Sequence, residues 1–413
     1  MALMAFLPAV SGMQAQSSAM TTVSDNIANM TTVGYKSKDT LFYTLLGSQS
    51  AYSSGQSAVG SSSSRVSGQA DIHGVGWYNR TNVDTQGEIA LTGKNYDVAI
   101  NYSGNAFFVV KDESGNTYYT RAGDFNTRSE NNIPYLINNS GMYVQGFLND
   151  GSGGFSSSLE NIKIDYPNTM PSVPTKNLEI TANVPADGVD TSTYSVSVYG
   201  PNNDGETMNM VFTKVTGLVN TWDITLSIND GTVTGGPYQA TFDTDGTLLT
   251  PHNLSIGVNW NDGSSNQIDV DISRITQYSG SSSLQNVAND GCKSGAFIEG
   301  YIDSDGVVKA RYTNGQVYDY AKLAVVSFVA PNNLTAISGT LFEYNAAAGE
   351  SSYLIGPDTQ NSNILTAGAV ESSTSNVEEE FANMVVIQRA YSMNTKSFTT
   401  VNEMTELLVS LKT

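Results

Sequence analysis

The sequence predicts a mainly β protein with long terminal α-helices: paired N- and C-terminal helices forming a coiled-coil-like inner domain, one discontinuous all-β domain, and one inserted outer all-β domain. Three observations predict it. Apolar residues step by threes and fours along both ends of the chain. Short runs rich in Val, Ile, Thr, Tyr and Phe, separated by Gly and Asn turns, fill nearly everything between. The length, 413 residues, exceeds the roughly 250 to 300 residues at which a single core stops growing.

At the N-terminus Leu3, Phe6, Val10, Met13, Met20 and Ile27 line one seam of an α-helix, joined by Ser17 and Ser24. Pro8 marks the expected start of regular helix, because its missing N–H costs little only in a first turn. The β-branched residues Thr31, Thr32 and Val33 weaken the helix, and Gly34 can supply a left-handed stop. Residues 1–24 carry no charge, which suits a helix buried in an assembly better than a solvated one. Residues 1–10 have the length of a signal-peptide hydrophobic region. No basic residue precedes them, the first Lys or Arg being Lys36, so a cleaved signal is not expected.

At the C-terminus Ser375 or Asn376 is placed to cap a helix whose first turn holds Glu378, Glu379 and Glu380, carboxylates favoured by the positive end of the helix dipole. Ile387, Ala390, Asn394, Ser397, Val401, Met404, Leu408 and Leu411 then keep the helical stepping. Phe381, Met384, Tyr391 and Phe398 mark an adjacent stripe. Two stripes imply two neighbours: the other end of the chain, and further copies of it. About 36 residues of helix would run roughly 54 Å.

The terminal helical domain is expected at 1–31 and 371–413, and an extended linker or arm at 32–76 and 357–370. The Ser, Gly, Gln and Ala content of the longer linker segment cannot bury enough surface for a core of its own. The inner β domain is expected at 77–147 and 284–356. A Gly/Ser stretch and Pro167, Pro171, Pro174 and Pro185 open the inserted outer β domain, 148–283. Insertion is tolerated where the two ends of a loop lie close together.

Composition narrows the chemistry. With 19 Lys+Arg against 39 Asp+Glu the net charge is -20, which repels nucleic acid and anionic membrane surfaces. The single cysteine, Cys292, has no internal disulfide partner, and with only His73 and His252 beside it there is no zinc ligand set. No stretch reaches the ~18 to 20 apolar residues of a membrane span. No serine sits in a nucleophile elbow. Asp243-Thr-Asp245-Gly246 and Asp303-Ser-Asp305-Gly306 resemble half a calcium loop but lack its closing glutamate, and they read as hairpin turns. Gly74-Val-Gly76 lacks the last glycine of a dinucleotide fingerprint. The residues therefore nominate no catalytic, cofactor-binding or metal site. A secreted adhesin or calcium-binding β protein, and a carbohydrate-acting enzyme whose carboxylate spacing is three-dimensional, stay open as competing classes.

Ser24-Asp25-Asn26-Ile27-Ala28-Asn29 followed by Thr32-Val33-Gly34-Tyr35-Lys36 closely resembles the N-terminal signature of the bacterial flagellar rod and hook (axial) family. Glu380-Phe381-Ala382-Asn383-Met384-Val385-Val386-Ile387-Gln388-Arg389-Ala390-Tyr391, with Asn394 and Thr400-Val401-Asn402-Glu403-Met404, resembles its C-terminal one. Phe107-Phe108-Val109-Val110, Tyr119-Thr120-Arg121-Ala122-Gly123-Asp124-Phe125 and Val144-Gln145-Gly146-Phe147 resemble its β strands. Ala106 stands where that family often has glycine, and Ile133-Pro134 departs from it at a turn. Phe242-Asp243-Thr244-Asp245-Gly246-Thr247-Leu248 and Ala324-Val325-Val326-Ser327-Phe328 are similar to hook-type members in particular. The length of the insert also favours these over a distal rod-type axial subunit.

The resemblance implies a structural subunit of the flagellar hook and no catalysed reaction. Such subunits build a curved tube that acts as a universal joint, transmits torque from the basal-body rod to the filament and encloses an export channel. It further implies location in the hook outside the cell envelope and type III export without a cleaved signal peptide. The implied partners are other copies of the chain, the distal rod protein, the hook cap and the hook–filament junction protein, with no nucleic acid, no membrane insertion and no cofactor.

Overall fold

The computed structural model describes residues 2–45, 74–202, 205–357 and 363–410, with the backbone alone at 2–5. The chain divides into two compact units: Met1–Asp165, Gly300–Lys309 and Asp319–Thr413 form the first, and Tyr166–Glu299 with Ala310–Tyr318 the second.

The first unit holds both helices, α1 (Ala2–Ala28) and α2 (Val377–Ser410). Helix α1 runs through Pro8 instead of starting there. Proline deletes one backbone bond, but only about a turn and a half lies before it, so little cooperative helix is lost. Asn376 is the cap of α2: its Oδ1 accepts the Glu378 N–H at 2.9 Å. Beside α1 lies an antiparallel ribbon, Lys38–Thr44 with Val75–Thr81, in which Leu41 faces Tyr78 and Phe42 faces Trp77. The expected arm therefore begins as paired strand, and its stretch 46–73 lies outside the described residues.

The β body of this unit is built on the strand Ala106–Lys111. It bonds to Thr117–Thr120, Tyr143–Leu148 and Val325–Phe328. Phe107, Val109, Phe147, Val326, Phe328 and Phe342 fill the core. Their rings meet mostly edge to face, as between Tyr119 and Phe328 at 4.8 Å, an arrangement that matches ring edges to π faces. Asn131 and Asn132, at φ 50° and 66°, make the tight hairpin joining Asn126–Glu130 to Ile133–Ile137. Two consecutive strands, Val317–Leu323 and Val325–Phe328, meet at Ala324.

The second unit packs two five-stranded sheets face to face. Thr191–Val198 alternates exposed and buried residues at every step, aiming Tyr194, Val196 and Val198 inward, as the two-residue period of a strand dictates. Met208, Met210, Phe212, Trp222 and Ile224 meet Leu254, Ile256, Ile268 and Val270 from the facing sheet.

Two expected boundaries differ. The second unit starts at Tyr166, because Glu160–Asn161 still pairs with the Tyr143–Leu148 strand; it also takes in residues 284–299 and 310–318. The expected arm at 357–370 is, where described, sheet: Leu365–Ala367 pairs with Val98–Ile100, and Ala369–Glu371 with Ile89–Leu91. Ile364, Leu365, Ala369 and Val370 are buried there; four apolar side chains in seven residues seat a segment that composition alone reads as linker.

Both aspartate motifs are turns. Asp243 takes the N–H groups of Asp245 and Thr247 and the Thr247 hydroxyl, while Asp303 pairs with Lys309 at 2.9 Å.

Candidate assembly surface and helix anchor

Helices α1 and α2 run antiparallel. Phe6 meets Phe398 at a tilt, with ring centroids 5.1 Å apart, Gly12 abuts Asn394, and Asn26 bonds Glu380, so the numbers rise along one helix as they fall along the other. The buried line of α1 is Ala9, Gly12, Ala15, Ala19, Thr22, Val23 and Asn26. This corrects the expected seam: Phe6, Val10, Met13, Met20 and Ile27 flank the line and are half-buried, and the Leu3 side chain lies outside the described set. Small residues take the contact because they let two backbones approach. A Cβ on Gly12 would sit 2.7 Å from the Asn394 amide nitrogen, closer than any real contact.

On α2 the inward line is Met384, Ile387, Ala390, Asn394, Phe398, Val401 and Thr405, which draws from both expected stripes. Phe381, Tyr391, Met404 and Leu408 do not face α1 and stay exposed, with Val386, Met393, Leu407 and Val409 beside them. Leu411 lies outside the described residues. Gln388 and Arg389 are exposed. No helix among the described residues is long and apolar enough to cross a membrane.

The N-terminal signature converges where the helices meet the β body. Asn26, in the last turns of α1, uses its whole side chain. Its amide nitrogen donates to Glu380 Oε1 at 2.7 Å and to the Lys38 carbonyl at 2.9 Å. Its oxygen accepts the Lys38 N–H at 2.9 Å and the Tyr35 hydroxyl at 3.2 Å. That satisfies both donors and both lone pairs of the amide. Ala28 is exposed and Asn29 half-buried at the helix end, where the Asn29 amide group donates to the Asp25 carbonyl at 2.9 Å.

Gly34 has φ +67°, and a Cβ there would lie 2.5 Å from the Ala122 nitrogen. Only glycine allows the chain to cross the β body this closely. The crossing delivers Lys36, whose ammonium lies 2.6 Å from Glu371 Oε1 and also donates to the Thr85 carbonyl. Arg121 Nε meets Glu371 Oε2 at 2.7 Å, and its Nη1 donates to the Ala106 carbonyl at 2.8 Å. The Lys36, Arg121 and Glu371 side chains are 0% exposed.

Burial shifts the ionisable groups. Desolvation holds the Lys36 ammonium below its ordinary value; Arg121 adds to this, and Glu371 opposes it. Desolvation, helped by Asp25 and Glu380, pushes the Tyr35 phenol up to about 12. Desolvation also raises Glu380; the Asn26 hydrogen bond opposes this, and Glu379 and Asp39 push further up.

Glu371 and the role of Arg121 were not legible in the sequence. Lys36 and Glu371 are 335 positions apart, and no local pattern marks such a pair.

Four family profiles match the chain: "Flagella basal body rod protein" at residues 6–36, "Flagellar hook protein FlgE/F/G D1 domain" at 99–198, "Flagellar basal body protein FlaE D2 domain" at 161–292 and "Flagellar basal body rod FlgEFG protein C-terminal" at 366–411. The chain is 30% identical to the flagellar hook protein FlgE of Rhizobium meliloti, over 98% of this chain and 97% of that one. It is 29% identical to the FlgE of Brucella suis over the same shares. Among solved structures, Helicobacter pylori flagellar hook protein FlgE2 aligns at 12% identity with a TM-score of 0.44, over 71% of this chain and 99% of that one.

Proposed function

The chain belongs to the flagellar hook protein family, and from that premise we propose how its residues build the hook. It is a structural subunit of the flagellum, not an enzyme. In our reading copies assemble into a curved tube that works as a universal joint, passing torque from rod to filament around an export channel. The terminal helices form the inner wall. The second unit, closed on its own apolar core, lies outside and makes polar contacts that slide and re-form as the tube turns.

The observation that carries this reading is the exposed apolar side of α2, where Phe381 is 53%, Met404 61% and Leu408 68% exposed. A solvated helix in a lone chain gains nothing from such a face. Covering it with neighbouring copies returns roughly 25 cal/mol per Å² of apolar surface. The expected interface residues then divide their work. Phe6, Val10, Met13, Met20, Ile27, Met384, Ile387, Phe398 and Val401 join the two helices within one subunit and show their outer sides to the next, while Phe381, Tyr391, Met404 and Leu408 serve neighbours.

Export by a type III apparatus without signal cleavage, and junctions with the distal rod protein, the hook cap and the hook–filament junction protein, complete the reading. The test is a chain lacking residues 2–30, examined by electron microscopy beside the full-length protein. Full-length chains are expected to give bent tubes and the shortened chains none. Normal tubes from the shortened chain defeat the inner-wall assignment, and straight tubes from the intact chain favour a distal rod-type subunit.

A further inference from the structure

We propose that Glu371 is a one-carboxylate latch that ties the roots of both terminal helices to the β body by offsetting two buried cations brought from separate parts of the chain. Glu371 closes the strand Ala369–Glu371 that leads into α2. Its Oε1 accepts Lys36 Nζ at 2.6 Å and the Gly87 N–H at 2.8 Å, and its Oε2 accepts Arg121 Nε at 2.7 Å. Lys36 comes from the segment just after α1, Gly87 from the segment that follows the ribbon, and Arg121 from the turn behind the Thr117–Thr120 strand. Backbone bonds reinforce the same point: Gly34 N–H reaches the Glu371 carbonyl at 2.8 Å, and Ser372 N–H the Glu88 carbonyl at 2.8 Å.

The latch is unequal. Two cations face one anion, and Arg121 Nη2 is buried with no hydrogen-bond partner among the described residues. Asp84, the next carboxylate acting on Lys36, is exposed and screened by water. Neutralising Lys36 therefore leaves Glu371 and Arg121 matched one to one. Neutralising Glu371 strands two buried cations, the more damaging way to break a buried ion pair. It follows that a second substitution, Lys36→Met, repairs part of the harm done by Glu371→Gln. A role in packing alone predicts the opposite, since two losses of fit add. The latch acts within the isolated chain, independently of tube formation.

The test is hydrogen–deuterium exchange on the full-length monomer in four forms: wild type, Lys36→Met, Glu371→Gln and the double variant. In Glu371→Gln, peptides covering 33–38, 84–92 and 369–377 are expected to exchange about tenfold faster, while those over Ala106–Lys111 and Tyr143–Leu148 keep the wild-type rate. Lys36→Met is expected to stay within about threefold of wild type, and the double variant to exchange more slowly than Glu371→Gln. Wild-type rates in Glu371→Gln, equal acceleration in the Ala106–Lys111 strand, or a double variant worse than Glu371→Gln would overturn the latch. Should Glu371→Gln aggregate, the double variant decides: soluble and protected supports the latch, equally aggregated refutes it.

Discussion

The second unit and the terminal helix pair handle their apolar residues in opposite ways. In the sandwich, Met208, Met210, Phe212, Trp222, Ile224 and Ile256 are all 0% exposed, and every strand that supplies them belongs to the same unit. In the helix pair Ala9, Gly12, Ala15 and Ala19 take the centre of the contact on α1, while the inward Met384, Ile387, Phe398 and Val401 of α2 stay only half-buried. The comparison teaches that the sandwich buries its large apolar residues within one chain, whereas the helix pair leaves many of its own exposed. A polar cluster at the root of the pair adjoins the β body.

The largest effect that sharpens this contrast is expected in the sandwich. Trp222→Ala should cost about 3–5 kcal/mol, the usual range for emptying a large aromatic site. It is read as a lowered denaturant midpoint followed by Trp260 fluorescence; a loss within ~1 kcal/mol would mean the sandwich core is more tolerant than its burial indicates. Gly34→Ala comes next. A methyl group there meets the Ala122 backbone and a left-handed φ, so roughly 1–3 kcal/mol should be lost in the first unit. Unfolding followed by the Trp77 signal measures it, and an unchanged midpoint would show that the crossing relaxes.

Smaller still is the pH effect at Glu380. Its folded-state pKa is raised above the ordinary 4.5, so its contribution is fully present below pH 4.5 and is lost as pH rises through the folded-state value. Glu380→Gln removes that dependence. The stability difference, wild type minus variant, should therefore fall as pH is raised from about 4 to 7, and a flat or rising difference would contradict the shift. The smallest effect on the monomer is Leu408→Asp, expected within ±0.5 kcal/mol because the side chain is already exposed. The same change should abolish or weaken tubes by placing an unpaired charge at the covered face; intact tubes would free that face from any assembly role.

How much was readable in advance follows one rule. Signals carried by a few consecutive residues are legible: a helix start at Ser375 or Asn376 with three glutamates behind it, where the structure selects Asn376, the left-handed Gly34, and the two Asp-Gly turns. Phase is not. The three-and-four stepping at the N-terminus fits both the Leu3–Phe6–Val10 seam and the Ala9–Gly12–Ala15 line, because a helical period fixes spacing and leaves open which line faces a partner. Similarly, Leu365–Ala367 and Ala369–Glu371 are too short to register as strands until Val98–Ile100 and Ile89–Leu91 are set beside them.

By itself the sequence determined that this chain has uncharged helical beginnings, a long capped terminal helix and strand-rich middle regions, since each depends on neighbours a few positions apart. Only the tertiary structure decided which faces of the helices meet, that small residues of α1 form its side of the contact, and that Lys36, Arg121 and Glu371 share one buried site. Those outcomes depend on distances between residues hundreds of positions apart, and Coulomb and packing energies act through space, not along the chain.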